Sequence, residues 1–211
     1  MNGAGRGRFL TLEGVDGAGK STLVGAIEPD LRARLGRQGH SLVRTREPGG
    51  TPLAEALRAD VLARPMHPLT EALLMFAARN EHVREVIEPA LARGDWVLCD
   101  RFTDASHAYQ SGARGVDAST IDTLARWVHP RLVPDLTVLL DVPPAIAAER
   151  RARARAADRF ESESEGFFAA VRAAYLDRAR ADPGRFLVLS GELSPGTAGR
   201  AVLERIAPWL N

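Results

Sequence analysis

Short apolar runs alternate with longer amphipathic stretches along the whole chain. Residues 9–12, 41–44, 96–100, 136–140 and 186–189 each read as a strand, and most are apolar at consecutive positions. Continuous apolar character is what a strand buried on both faces requires. Between them, residues 21–35, 53–63, 69–92, 118–128, 144–155, 165–181 and 197–210 carry apolar positions at helical spacing. The third of these is expected to break near Pro89, which lacks the N–H that a helix interior needs. Such alternation predicts an α/β fold: a five-stranded parallel sheet flanked by helices on both faces. In these sheets ligands bind beyond the carboxyl ends of the strands. Asp16, Arg46, Asp100 and Arg101 all fall there.

Composition narrows the class. The 211 residues are 45% hydrophobic and 26% charged, which suits a single domain spanning 1–211 with ample core. A net charge of +1 gives no field to draw the chain to nucleic acid or membrane, so neither is an expected partner. No apolar run approaches the ~18 residues of a membrane span. Residues 1–7 lack the apolar core of a signal peptide and are expected to be a disordered leader. Cys99 is the one cysteine and sits in an apolar run, which reads as a buried, reduced thiol of a cytoplasmic protein. The five histidines share no metal-binding spacing.

Lys20 is the only lysine; the other 27 of the 28 basic residues are arginine. It lies in Gly14-Val15-Asp16-Gly17-Ala18-Gly19-Lys20-Ser21, which matches the phosphate-binding P-loop pattern G-x-x-x-x-G-K-[ST]. A predicted strand precedes it and a helix follows, so a phosphate would sit at a helix N-terminus. Glycines let the backbone N–H groups turn toward phosphate, Lys20 reaches the outer phosphates and the Ser21 hydroxyl suits magnesium. Asp100, closing an apolar strand, is placed like a carboxylate that binds magnesium directly or through water. Arg101 and Arg46 offer guanidinium forks for a second phosphate, on an acceptor. With its one lysine at position 20, the chain has no Asn-Lys-x-Asp loop for reading a guanine base.

Further segments carry a specific resemblance. Gly14 to Thr22, then Thr45-Arg46-Glu47-Pro48-Gly49-Gly50-Thr51, Asp100-Arg101-Phe102, Ala108-Tyr109-Gln110, Pro134-Asp135-Leu136-Thr137, Leu140-Asp141-Val142 and Asp158-Arg159-Phe160-Glu161 resemble, in order, the bacterial thymidylate kinase (dTMP kinase) family. The resemblance covers nearly the whole chain. It implies a P-loop NTPase fold, transfer of the γ-phosphoryl of ATP to dTMP with magnesium, and a homodimer. It implies that Lys20 and the P-loop from Gly14 to Thr22 hold ATP, that Arg101 and Arg46 hold the dTMP phosphate, and that Asp16 meets the sugar 3′-hydroxyl. Tyr109 would lie under the sugar and disfavour a 2′-hydroxyl.

The arginine-rich run at about 150–161 reads alone as a solvated helix face. Within the resemblance it matches a nucleotide-kinase lid that closes over phosphates. The P-loop holds no arginine, so Arg153, Arg155 and Arg159 become the catalytic candidates, Arg159 favoured by its Asp-Arg-x-Glu setting. The family pattern also has an aromatic that stacks on thymine, four residues before an arginine that bonds the base. Here that arginine is Arg79, the residue four back is Met75, and Phe76 is three back. Either Phe76 stacks from a rotated position or the Met75 thioether covers the ring; both also suit an apolar core. Ser106 and Gln110 are polar candidates for the base edge. Ser190-Gly191-Glu192, after the last strand, neighbours adenine by position. The sequence does not decide the isomer of Glu47–Pro48. Another P-loop kinase of small molecules and a P-loop ATPase module are the competing readings.

Overall fold

The structure is a computed structural model that describes residues 5–152 and 163–210. Five strands, β1 (Phe9–Glu13), β2 (Leu42–Arg46), β3 (Trp96–Asp100), β4 (Leu136–Asp141) and β5 (Phe186–Ser190), form one parallel sheet in the order β2-β3-β1-β4-β5. β1 and residues 136–140 of β4 are buried at every position, as their largely apolar runs demand, and the two buried threonines within them, Thr11 and Thr137, bond each other at 2.9 Å. The described α-helices are α1 (Lys20–Arg37), α2 (Pro52–Ala63), α3 (Pro68–His82), α4 (Glu88–Ala92), α5 (Thr103–Ser106), α6 (Ala118–Val128), α7 (Pro144–Ala152), α8 (Glu165–Ala181) and α9 (Pro195–Ile206). The largest core cluster joins α1, α8 and α9 to the sheet, and a second packs Val83, Ile87 and Leu91 on Phe9, Val97 and Cys99.

Several elements differ from the sequence expectation. Near Pro89 the chain does not break: α3 passes through a π-helical turn, Val83–Ile87, straight into α4. Pro89 falls in the first turn of α4, just after the π-turn, where a missing N–H is tolerated. Residues 103–113, where no element is predicted, form α5 and a π-helical continuation, His107–Ala113. Apolar periodicity misses this segment because its buried face is polar: Asp104, Ser106, His107 and Gln110 are all buried. Asp104 is held by Arg178 on α8 (3.0 Å) and by Arg185 (2.6 Å), so these charges are paired rather than stranded. Gly7, expected in a leader, is buried and donates its N–H to Leu91 O (2.9 Å). Arg153, Arg155, Arg159 and the rest of the expected lid from 153 to 162 lie outside the described residues.

Candidate active site

The P-loop leaves β1 at Gly14, whose φ of 133° and an added Cβ only 2.5 Å from Leu140 O admit glycine alone. It enters α1 through Gly19, at φ 99°, which provides no side-chain cap. The first-turn N–H groups of α1 therefore remain available to an anion. Lys20 Nζ donates to Gly14 O (3.2 Å) and Val15 O (3.3 Å) and lies 3.9 Å from Asp16. Burial, and then the like charge of Arg101, lowers the Lys20 pKa.

Arg101 follows β3 with a φ of 71°, the only positive φ outside glycine among the described residues. Such backbone strain persists where the surroundings over-determine it. The Arg101 N–H donates to Leu12 O (3.0 Å). Its guanidinium donates through Nη2 to Asp16 Oδ1 (2.8 Å) and Tyr109 Oη (3.0 Å), and through Nη1 to Tyr175 Oη (2.9 Å). The Tyr175 hydroxyl in turn donates to Glu13 Oε2 (2.7 Å), while Phe102 N–H donates to Glu13 Oε1 (2.8 Å). Burial pushes the Glu13 carboxyl up to about 8, with Arg101 acting against it. For Asp16 burial acts in the same sense, but the Arg101 and Lys20 charges outweigh it and hold the carboxyl well below the usual range.

Beside Arg101 opens a pocket of about 90 Å³ whose walls include Asp16, Glu47, Met75, Arg79, Ser106, Tyr109 and Gln110. Arg79 donates through Nε to Glu47 Oε2 (2.6 Å) and through Nη2 to Phe102 O (3.1 Å), and its buried Nη1 has no partner among the described residues. Glu47 also bonds His82 Nδ1 (3.0 Å), whose Nε2 meets Thr45 Oγ1 (2.6 Å). Burial acts to raise the Glu47 pKa, but Arg79 and His82 outweigh it and the pKa falls. The Glu47–Pro48 bond is cis, and Arg58 Nη1 donates to Pro48 O (3.0 Å). Met75 lines this pocket. Phe76 turns away from it, packs with Ala72, Ile121 and Leu124, and supports the Arg79 guanidinium 4.5 Å from its ring centre.

Two further cavities flank the P-loop. One, of about 230 Å³, is lined by Ala18, Gly19, Thr22, Arg150, Ser190 and Gly191. The other, of about 550 Å³, is lined by Ser21, Arg44, Arg46, Glu55 and Asp100. Asp100 Oδ1 there is buried with no partner among the described residues, a donor set that fits a hard divalent cation beside the Ser21 hydroxyl. Arg46 pairs with Glu55 (3.0 Å) in this cavity and does not line the pocket that holds Arg101. The fold thus gathers Asp16, Arg79, Arg101, Ser106, Tyr109, Gln110 and Met75 around one pocket, with Gly19, Ser21 and Thr22 on its P-loop side. The sequence assigns no role to Glu13, Glu47, Arg58, His82 or Tyr175. Of these, Glu47 lies inside the Thr45-Arg46-Glu47-Pro48-Gly49-Gly50 segment and Glu13 directly follows the apolar run at residues 9–12.

Comparison with known proteins fits this geometry. The profile of the family described as thymidylate kinase matches residues 12–201. Thymidylate kinase of Cupriavidus pinatubonensis is 57% identical over 205 residues, covering 97% of this chain and all of the relative. That of Paraburkholderia xenovorans is 54% identical over 202 residues, covering 96% and 98%. The crystal structure of thymidylate kinase from Ehrlichia chaffeensis superposes with a TM-score of 0.77 at 31% identity, covering 95% of this chain and 99% of that one. With the match spanning the P-loop, Arg101 and the Arg79 pocket alike, the chain belongs to the thymidylate kinase family.

Proposed function

We propose that this chain transfers the γ-phosphoryl group of ATP to dTMP, giving ADP and dTDP on the route to dTTP. The observation that carries the reading is Arg101: one partly buried guanidinium, fixed by Asp16, Tyr109 and Tyr175, stands between Lys20 and the Arg79 pocket. The acceptor is already an anion, so the task is to hold two phosphates in line against their repulsion rather than to remove a proton. Arg101 exchanges part of its Asp16 pairing for the dTMP phosphate. Asp16, thereby freed, and Tyr109 face the sugar. Arg79 Nη1 donates to the base, and Met75 covers its face. ATP lies with its phosphates on the α1 amides and Lys20, which leaves the Gly14 and Val15 carbonyls for them. The 230 Å³ cavity at Gly191 suits adenine.

Ser21 and Asp100 would hold magnesium, which neutralises phosphate charge when bound. Arg46 steadies the phosphates from the same cavity. The reading includes a homodimer in the cytoplasm: Leu53 on α2, Leu69 and Leu73 on α3 and Trp127 on α6 are exposed, on helices that pack together, and a second copy would cover them. Among the described residues no helix is long and apolar enough to cross a membrane.

The test is Arg101→Ala beside Lys20→Ala, assayed for ADP formation with dTMP. Each is expected to lose about 10²–10³-fold in turnover, the scale of removing a preorganised charge donor, with the far-ultraviolet circular dichroism unchanged. A folded Arg101→Ala variant with wild-type turnover would remove Arg101 from the site.

A further inference from the structure

The base pocket contains an amide whose direction is set from behind. Gln110 lines the pocket yet is only 2% exposed. Its Nε2 donates to Glu71 Oε1 at 3.0 Å, and Glu71, on α3, is fully buried. A carboxylate oxygen accepts and does not donate, so only the –NH₂ end of Gln110 can face Glu71. Arg114, 3.8 Å from Glu71 Oε1, supplies the compensating charge that a buried carboxylate needs. The other end of the amide, the carbonyl Oε1, has no hydrogen-bond partner among the described residues and is left to the pocket. Arg79 lines the same pocket, and its buried Nη1 has no hydrogen-bond partner among the described residues, a donor in reserve.

We infer that Glu71 is a specificity-determining positioning residue: by locking the Gln110 amide with its oxygen toward the pocket, it makes the site select a pyrimidine with a 4-oxo group and an N3–H. The inference rests on the proposed dTMP reading and adds to it a residue that never touches the substrate. A donor at Arg79 beside an acceptor at Gln110 complements the O4 and N3–H of thymine. It opposes the 4-amino group and bare N3 of cytosine at both positions. Mismatched buried polar groups discriminate far more strongly than a changed methyl, because each mismatch leaves a donor or acceptor unpaired. An amide free to rotate would lose that selectivity at Gln110, since its –NH₂ could meet a bare N3 equally well.

The discriminating pair is dTMP and 5-methyl-dCMP, which match in shape and differ only at N3 and position 4. Wild type, Glu71→Gln and Glu71→Asp would be compared by kcat/KM on both, with the melting temperature of each. In Glu71→Gln the new amide can donate or accept, so Gln110 is no longer locked. The dTMP preference is expected to fall about tenfold, through the nucleotide KM, with kcat and the KM for ATP near wild type. Glu71→Asp, which restores a carboxylate, should recover part of the preference. A folded Glu71→Gln protein that keeps the wild-type ratio would overturn the inference, as would an equal loss on both nucleotides, which marks a purely structural role. Should Glu71→Gln not fold, Gln110→Met carries the test: retention of the wild-type preference would refute the assignment, and its collapse would support it. Absence of dTMP turnover in wild type would instead defeat the functional reading itself.

Discussion

Glu13 ends β1 with no exposed surface, and burial pushes its carboxyl up to about 8 from an ordinary 4.5. Between these two values the folded protein holds a proton that the unfolded chain has released. Stability contributed by this group is therefore fully present below about pH 4.5 and is lost as the pH rises through about 8. At about 1.4 kcal/mol per pKa unit, the shift corresponds to about 5 kcal/mol across that window. Replacing Glu13 by Gln keeps the shape and removes the titration. It also disturbs the relay, because a Gln –NH₂ opposite Tyr175 cannot accept the tyrosine hydroxyl proton. That second cost is independent of pH, so the two effects separate. Urea unfolding of wild type and Glu13→Gln at pH 5, 6 and 7 is the assay. The stability difference should move in favour of the variant by about 3 kcal/mol from pH 5 to pH 7. Parallel pH profiles for the two proteins would refute the reasoning and return Glu13 to an ordinary carboxylate.

Tyr175→Phe removes the acceptor for Arg101 Nη1 and the donor to Glu13 in one step. The bond from the Arg101 guanidinium, as a hydrogen bond to a charged group, contributes about 1.5–3 kcal/mol, so chemical denaturation should show a loss of at least that size. Turnover with dTMP should fall about tenfold, with the KM for ATP unchanged, because two of three Arg101 tethers remain; unchanged turnover and stability would show that the hydroxyl holds nothing. Gly50→Ala is expected to destabilise by about 2–4 kcal/mol from strain and overpacking, since φ is 87° and the new Cβ would lie 2.5 Å from the His82 ring. Because His82 holds Glu47 and Glu47 holds Arg79, the KM for dTMP should rise as well; a thermal melt and steady-state kinetics check both parts.

The legible parts of this fold are those in which local pattern and burial agree. The core strands β1, β3 and β4 are mostly apolar and buried up to their last residues, and the P-loop is announced by glycines that its turns require. What the pattern hid is polar and buried. The helix carrying Ser106, Tyr109 and Gln110 packs Asp104 and His107 inward, so its hydrophobic spacing is wrong for a helix although its hydrogen bonding is not. The Thr45–His82–Glu47–Arg79 chain joins β2 to α3 across more than 30 residues, and no local signal records such a pairing. Met75 stands at the four-residue spacing and Phe76 is the aromatic, so the sequence leaves open which covers the base; packing separates them, Met75 into the pocket and Phe76 under Arg79.

The central claim is the acceptor. The most direct test is ADP release from ATP and magnesium with dTMP, set against dUMP, dCMP, dGMP, AMP, UMP and no acceptor. Strong stimulation by dTMP is expected, and little by ribonucleotides that crowd Tyr109 or by cytosine and purine bases that mismatch Arg79 and Gln110. Equal ADP release with every acceptor and with none would contradict it, leaving a P-loop that hydrolyses ATP beside a pocket of another purpose.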